Sequence, residues 1–162
     1  MKCLVCGATM KTKRENFRYD ACGLPNITLV GVEVSRCSKC GEFEVALEHM
    51  ADLHQTIADA VIHKPARLSA AEIKFLRKYL GWSGSDFADH IGATPETVSR
   101  WENDATAMGA QADRALRLMV ATQQPVKDYA LETLKRIGDA KTPHPVRLGM
   151  TRDKAGWHAE AA

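Results

Sequence analysis

Residues 81–103 read GWSGSDFADHIGATPETVSRWEN, and the shape of the helical half of the chain follows from them. A short helix is predicted from about Ser85 to Ile91, in which the small Ala88 lets a neighbouring helix approach. Gly92-Ala93-Thr94 is a tight turn, where glycine adopts a left-handed conformation at no steric cost. Thr94 is placed to cap the next helix, and Pro95 holds its first position, where a missing N–H costs nothing. Val98 and Trp101 give that helix an apolar face to set against Ile91, Leu76 and Leu80. Two short helices joined by such a turn form a helix-turn-helix unit. Glu96, Thr97, Ser99, Arg100 and Asn103 are left on its outer face or at its end.

Upstream, Ser69 and Glu72 make a capping-box signature, followed by Ile73, Leu76 and Leu80 on one face and Gly81 as the stop. Downstream, one helix is predicted over Ala110–Ala121 and another over about Pro125–Ile137. Past Gly138 the chain turns rich in Pro and Gly and reads as a loosely held tail, although Val146, Leu148, Met150 and Trp157 make it unusually apolar. An amphipathic helix over 48–63 carries Met50, Leu53, Ile57, Ala60 and Val61, and Lys64 to Arg67 reads as a short linker. The expected fold class is therefore α+β. A β unit with its following helix occupies 1–64, a helical unit 65–138 and a tail 139–162.

The N-terminal unit is defined by cysteine. Cys3/Cys6 and Cys37/Cys40 are two C-x2-C pairs, each followed by glycine (Gly7, Gly41), with 30 residues between the pairs. Two such knuckles offer four sulfurs to one tetrahedral ion, and a hairpin between them accounts for the long gap. The turn Gly23-Leu24-Pro25-Asn26 and the β-branched run Ile27, Leu29, Val30, Val32 and Val34 supply that hairpin. The expected cofactor is one structural Zn2+, since a four-thiolate site has no open position for water or substrate. Cys22 is left over as a thiol in the hairpin, and His49 and His54 read as solvated or packed side chains.

Charge narrows the function. The chain has 162 residues, 22 Lys plus Arg and 20 Asp plus Glu, which excludes a polybasic, histone-like binder. Residues 1–64 hold eight cations and eight anions, and residues 65–124 hold seven of each. Four thiolates with one Zn2+ add a net charge of −2 to the N-terminal unit. Any nucleic-acid binding must then rest on a few placed groups, with a shallow salt dependence. No apolar run approaches the ~20 residues of a membrane span. The start, MKCLVCG, does not read as a secretory signal, so a cytoplasmic location is expected. No nucleophile–base pairing, phosphate-binding glycine loop or open metal site is legible, and no enzymatic activity is expected.

In the helical half, Leu76-Arg77, Gly81-Trp82-Ser83, Phe87-Ala88, Ile91-Gly92 and Val98 to Asn103 together resemble the Xre/Cro-type helix-turn-helix. MKCLVCG with CSKCGE resembles a YgiT-type zinc finger. In this order the two resemble the MqsA family of antitoxins and related regulators, over residues 1 to about 122. The resemblance implies an all-α, lambda-repressor-like domain that dimerises and represses its own operon. It also implies a zinc domain able to grip a cognate toxin. It places the recognition helix on Pro95 through Asn103, the base-contacting arginine on Arg100, and a bridging ion pair on Arg77 and Glu102. Glu96 stands where a member of the family has Asn, and Gly84 where such domains usually carry Gln.

The expected function is thus a dimeric, sequence-specific regulator of double-stranded DNA reading a palindromic operator. Its DNA-binding residues are Ser83, Ser85, Thr94, Glu96, Thr97, Ser99, Arg100 and Asn103. Arg100 suits bidentate pairing with guanine, Glu96 suits cytosine N4, and the N–H groups near Ser83 to Ser85 suit a phosphate. Leu116, Met119 and Val120, with Tyr129, Leu131 and Leu134, are dimer-face candidates, most of which read as core. The alternative is a toxin-neutralising module acting through the edge at Ile27 to Val34 or the helix at 48–62.

Overall fold

The computed structural model describes residues 1–123 and 143–161. Its elements in chain order are β1 (Met10–Arg18), β2 (Ile27–Cys37), β3 (Phe43–Val45), α1 (Met50–His63), α2 (Ala70–Tyr79), α3 (Gly84–Ile91), α4 (Pro95–Glu102), α5 (Ala110–Gln123), β4 (Leu148–Asp153) and β5 (Gly156–Ala161). The fold is α+β, with one small mixed sheet and five helices among the described residues. The helix expected over 125–137, with Tyr129, Leu131 and Leu134, lies outside the described residues.

The long strand β2 organises the sheet. It pairs antiparallel with β1 along one side, and on the other with β3 (Val34 to Arg36) and, in parallel, with β4 (Ile27 to Leu29). Its apolar phase changes halfway: Ile27 and Leu29 are buried, then Val32 and Val34. A β-bulge explains the change. Val30 and Gly31 together oppose the single residue Asn16 between the pairs Glu15–Val32 and Phe17–Leu29. The Asn16 side-chain oxygen accepts from Gly31 N at 3.1 Å, and Gly31 has φ +66°. The extra residue returns Val32 and Val34 to the face that Ile27 and Leu29 already bury. Ile27 to Leu29 and Val34 are flanked on both sides, so of the Ile27 to Val34 edge that the sequence suggested only the middle is open on one side.

The C-terminal segment departs furthest from expectation. Residues 148–161 are a β-hairpin that completes the sheet, not a loose tail. Leu148 and Met150 are buried against β2, and Trp157 is buried over α1. The Asp52 carboxylate of α1 accepts from Trp157 N at 3.0 Å, and Thr56 Oγ1 donates to the Trp157 carbonyl at 3.3 Å. Alternating apolar residues at Leu148 and Met150 were the signal. Without a partner strand in sequence they had no assigned place.

One apolar core runs through both halves of the chain. It joins Leu29, Val34 and Met150 of the sheet to Leu53, Ile57 and Val61 of α1, then to Leu76, Phe87, Val98, Leu116 and Val120. Leu116 and Val120 are thus core, while Met119 is only half-buried. A second small cluster, Cys3, Met10 and Cys37, stands apart at the cysteine end.

Lys64, the first residue of the stretch 64–67 read as a linker, belongs to a buried polar joint. Glu72, Lys64, Asp113 and Arg117 are 1%, 7%, 0% and 0% exposed. Lys64 Nζ donates to Glu72 Oε2 at 2.5 Å and to the His144 carbonyl at 2.6 Å. Glu72 also accepts from Ser69 N, closing the capping box of α2, and from Val146 N. Arg117 is held by Asp113 and donates to the carbonyls of Ile62, Lys64 and Ala66, while Leu68 N donates to Asp113. Removing one member of a buried pair leaves the other charge uncompensated, at a cost of about 3–5 kcal/mol. Glu72→Ala is therefore expected to lower unfolding free energy by that amount in urea titrations. A loss under about 1 kcal/mol would show that the joint contributes little.

Candidate functional site

The first site is the cysteine end. Each C-x2-C pair lies in a turn closed by a backbone bond from the following glycine: Gly7 N to the Cys3 carbonyl, and Gly41 N to the Cys37 carbonyl. Gly7 and Gly41 have φ +71° and +79°. A Cβ at either would meet nothing within 4 Å, so the backbone angle alone calls for glycine. Strand pairing brings the two turns together, since Met10 sits opposite Cys37.

The four sulfurs of Cys3, Cys6, Cys37 and Cys40 all lie within 4.8 Å of one another. The separations Cys3–Cys40 and Cys6–Cys37 are 3.5 and 3.4 Å. A metal about 2.3 Å from four tetrahedral sulfurs would set them roughly 3.8 Å apart, so the group fits a metal ion. No disulfide joins them. Backbone N–H groups of Cys40 and Lys39 bring the Cys37 thiol down to about 6. The Glu42 N–H also lowers Cys40, but the crowding thiols, Cys6 foremost, push it up to about 12. With Cys40 raised by its neighbours, all four become thiolates together only where a cation shares their charge.

Cys22 lies elsewhere, with its thiol donating to the Tyr19 carbonyl. His54 is packed: its Nε2 is 2.9 Å from the Tyr19 hydroxyl and its ring meets the edge of Phe75. Neither it nor His49 belongs to the cysteine group. Leu4 and Val5, between the first two cysteines, are 90% and 69% exposed.

The second site is the α3–turn–α4 unit. Gly92 ends α3 in a left-handed conformation (φ 70°), and the Thr94 hydroxyl accepts from Thr97 N at 3.2 Å to start α4. Val98 is buried, and Trp101 meets Phe87 edge to face, so α4 is pinned by one side. The structure joins Arg77 to Glu102 through two bonds of 2.5 and 2.9 Å, and Arg77 also donates to the Trp82 carbonyl. This fork ties α2 to the end of α4. Glu96, Ser99, Arg100 and Asn103 are exposed on the other side, and Thr97 is half-exposed.

Local bonds divide the eight candidates. The hydroxyls of Ser83 and Thr94 serve as helix caps. The Asn103 amide donates back to Ser99 at 2.9 Å. Glu96 is held below the usual carboxylate range by its own backbone N–H, then by Thr94, with Arg100 adding a smaller pull. At the start of α3, Asp86 fills part of the place proposed for a phosphate: its Oδ2 accepts from Ser83 N at 2.8 Å.

No family model, curated protein or solved structure matches this chain. Among the described residues, no helix is long and apolar enough to cross a membrane.

Two outcomes test these sites. Strong chelation should speed amide exchange in 1–9 and 37–42, around the separate cysteine cluster, and leave α2 to α5 protected. Collapse of exchange protection throughout would refute a locally acting metal. For α3, the Ser83 hydroxyl and N–H hold Asp86 below its ordinary range. A depressed carboxyl stabilises the fold above its unfolded pKa, and that contribution is lost as pH falls through the folded value. The gap in melting temperature between the wild-type chain and Asp86→Asn should therefore be widest near neutrality and close in acid.

Proposed function

We propose that this chain is a sequence-specific DNA-binding regulator whose cysteine group holds one structural Zn2+. The observation that carries the reading is α4. One side is fixed by Val98, Trp101 and the Arg77–Glu102 fork, and the other presents Glu96, Thr97 and Arg100. A helix pinned this way can hold side chains in register with base edges in a major groove. Arg100 is the principal reader, Glu96 and Thr97 set the neighbouring base preference, and Ser99 lies beside them. Ser83, Thr94 and Asn103 act indirectly, by fixing helix ends, and Ser85 faces the backbone phosphates. A homodimer would place two such helices on half-sites about 34 Å apart. The resemblance to the MqsA family adds a role as an autorepressor with antitoxin ancestry.

The four thiolates suit zinc, which takes such closed tetrahedral sets in structural sites. A second reading, that the zinc end grips a partner such as a toxin, is favoured by one observation. Met1, Leu4 and Val5 place three exposed apolar side chains at that tip.

Footprinting on the DNA upstream of the chain's own gene, at fixed salt, tests the main reading. A protected palindrome is expected. Arg100→Ala should weaken binding to it by about 1–3 kcal/mol while the melting temperature stays unchanged. Absence of any protected site, or an unchanged affinity in the variant, would sink the assignment.

A further inference from the structure

The bulge in β2 lies beside a gap in the sheet. On the side of β2 away from β1, β4 pairs with Ile27 to Leu29 and β3 with Val34 to Arg36. Glu33 still accepts from Ala46 N at 3.2 Å, and residues 30–32 have no strand partner on that side. A cleft of about 310 Å³ opens there, lined by Val30, Val32 and Trp157 together with charged side chains. This is the small end of the range of ligand pockets, roughly 300–1,000 Å³.

Two ion pairs border it. Arg14 meets Glu33 at 3.6 Å, and Arg152 of β4 meets Glu48 at 2.8 Å. Both pairs are solvent-exposed, and exposed pairs contribute little to stability, so either can open to another partner. Asp153, also in the lining, is already committed to His158 and Ala155 N. Trp157 is 5% exposed, and its indole N–H is buried without an acceptor among the described residues.

We propose that this cleft binds a small zwitterion with an apolar side group, of the α-amino acid class. The carboxylate takes the Arg152 guanidinium from Glu48, the ammonium sits between Glu48 and Glu33, and the side group covers Val30, Val32 and Trp157. The cleft sets the Arg152 guanidinium 2.8 Å from Glu48 and has Glu33 in its lining, which suits a ligand with both charges better than a simple anion. This site is independent of the DNA-binding reading, since occupancy is measured on the chain alone.

The test is 1H–15N correlation spectra of the full chain, with the Trp157 indole resonance assigned by through-bond experiments. The probes are L-leucine and L-phenylalanine, each added up to about 10 mM, a range that reaches millimolar affinity. Saturable movement of the Trp157 indole and of Val30 to Glu33 amides is expected. L-leucinamide and N-acetyl-L-leucine each lack one charge and should bind at least tenfold more weakly. Arg152→Gln, at an exposed position, should weaken L-leucine at least tenfold with the rest of the spectrum unmoved. No saturable shift with either amino acid overturns the proposal, as does equal binding of the amide or full affinity in Arg152→Gln.

Discussion

A single buried carboxylate joins three parts of the chain. Glu72 caps α2 with one oxygen, pairs with Lys64 through the same oxygen, and accepts from Val146 N with the other. Those three bonds tie the end of α1, the start of the helical half and the approach to the C-terminal hairpin to one point. Arg117 and Asp113 do the same a few residues away, by answering the last carbonyls of α1 and the residues after it. A buried charge without its partner is far more costly than an exposed one. The joint therefore fixes the position of the helical half against the sheet.

That joint changes how the chain is divided. Composition and motif suggested a zinc unit, a helical unit and a tail as beads in a row. The core instead runs continuously from β2 through α1 into α2 to α5, and residues 148–161 return to the N-terminal sheet. The one part with its own small core is the cysteine end, built on Cys3, Met10 and Cys37. A metal there acts on the two knuckles and the ends of β1 and β2. The main core is held by apolar burial and the polar joint.

Short-range features were legible in sequence because their physics is local. The capping box of α2, the Gly92 turn, Pro95 at a helix start and the paired C-x2-C turns each involve residues within a few positions of one another. The Arg77–Glu102 fork was legible only through family resemblance, since 25 residues separate the partners. The bulge at Val30–Gly31 was visible as broken alternation in β2, but its cause, Asn16, lies on another strand. The cleft was not legible at all, because its walls come from β1, β2, the β3–α1 connection and the C-terminal hairpin.

Spacing along the chain was enough to fix α1 to α5, the four clustered cysteines and the exposed face of α4, because it specifies turns, caps and helical faces. Only the tertiary structure decided where Lys64, Glu72 and Arg117 bury their charges, and that the last strands close the first sheet. Those outcomes depend on which distant surfaces meet, and burial makes a polar group tolerable only where its partner is brought to it.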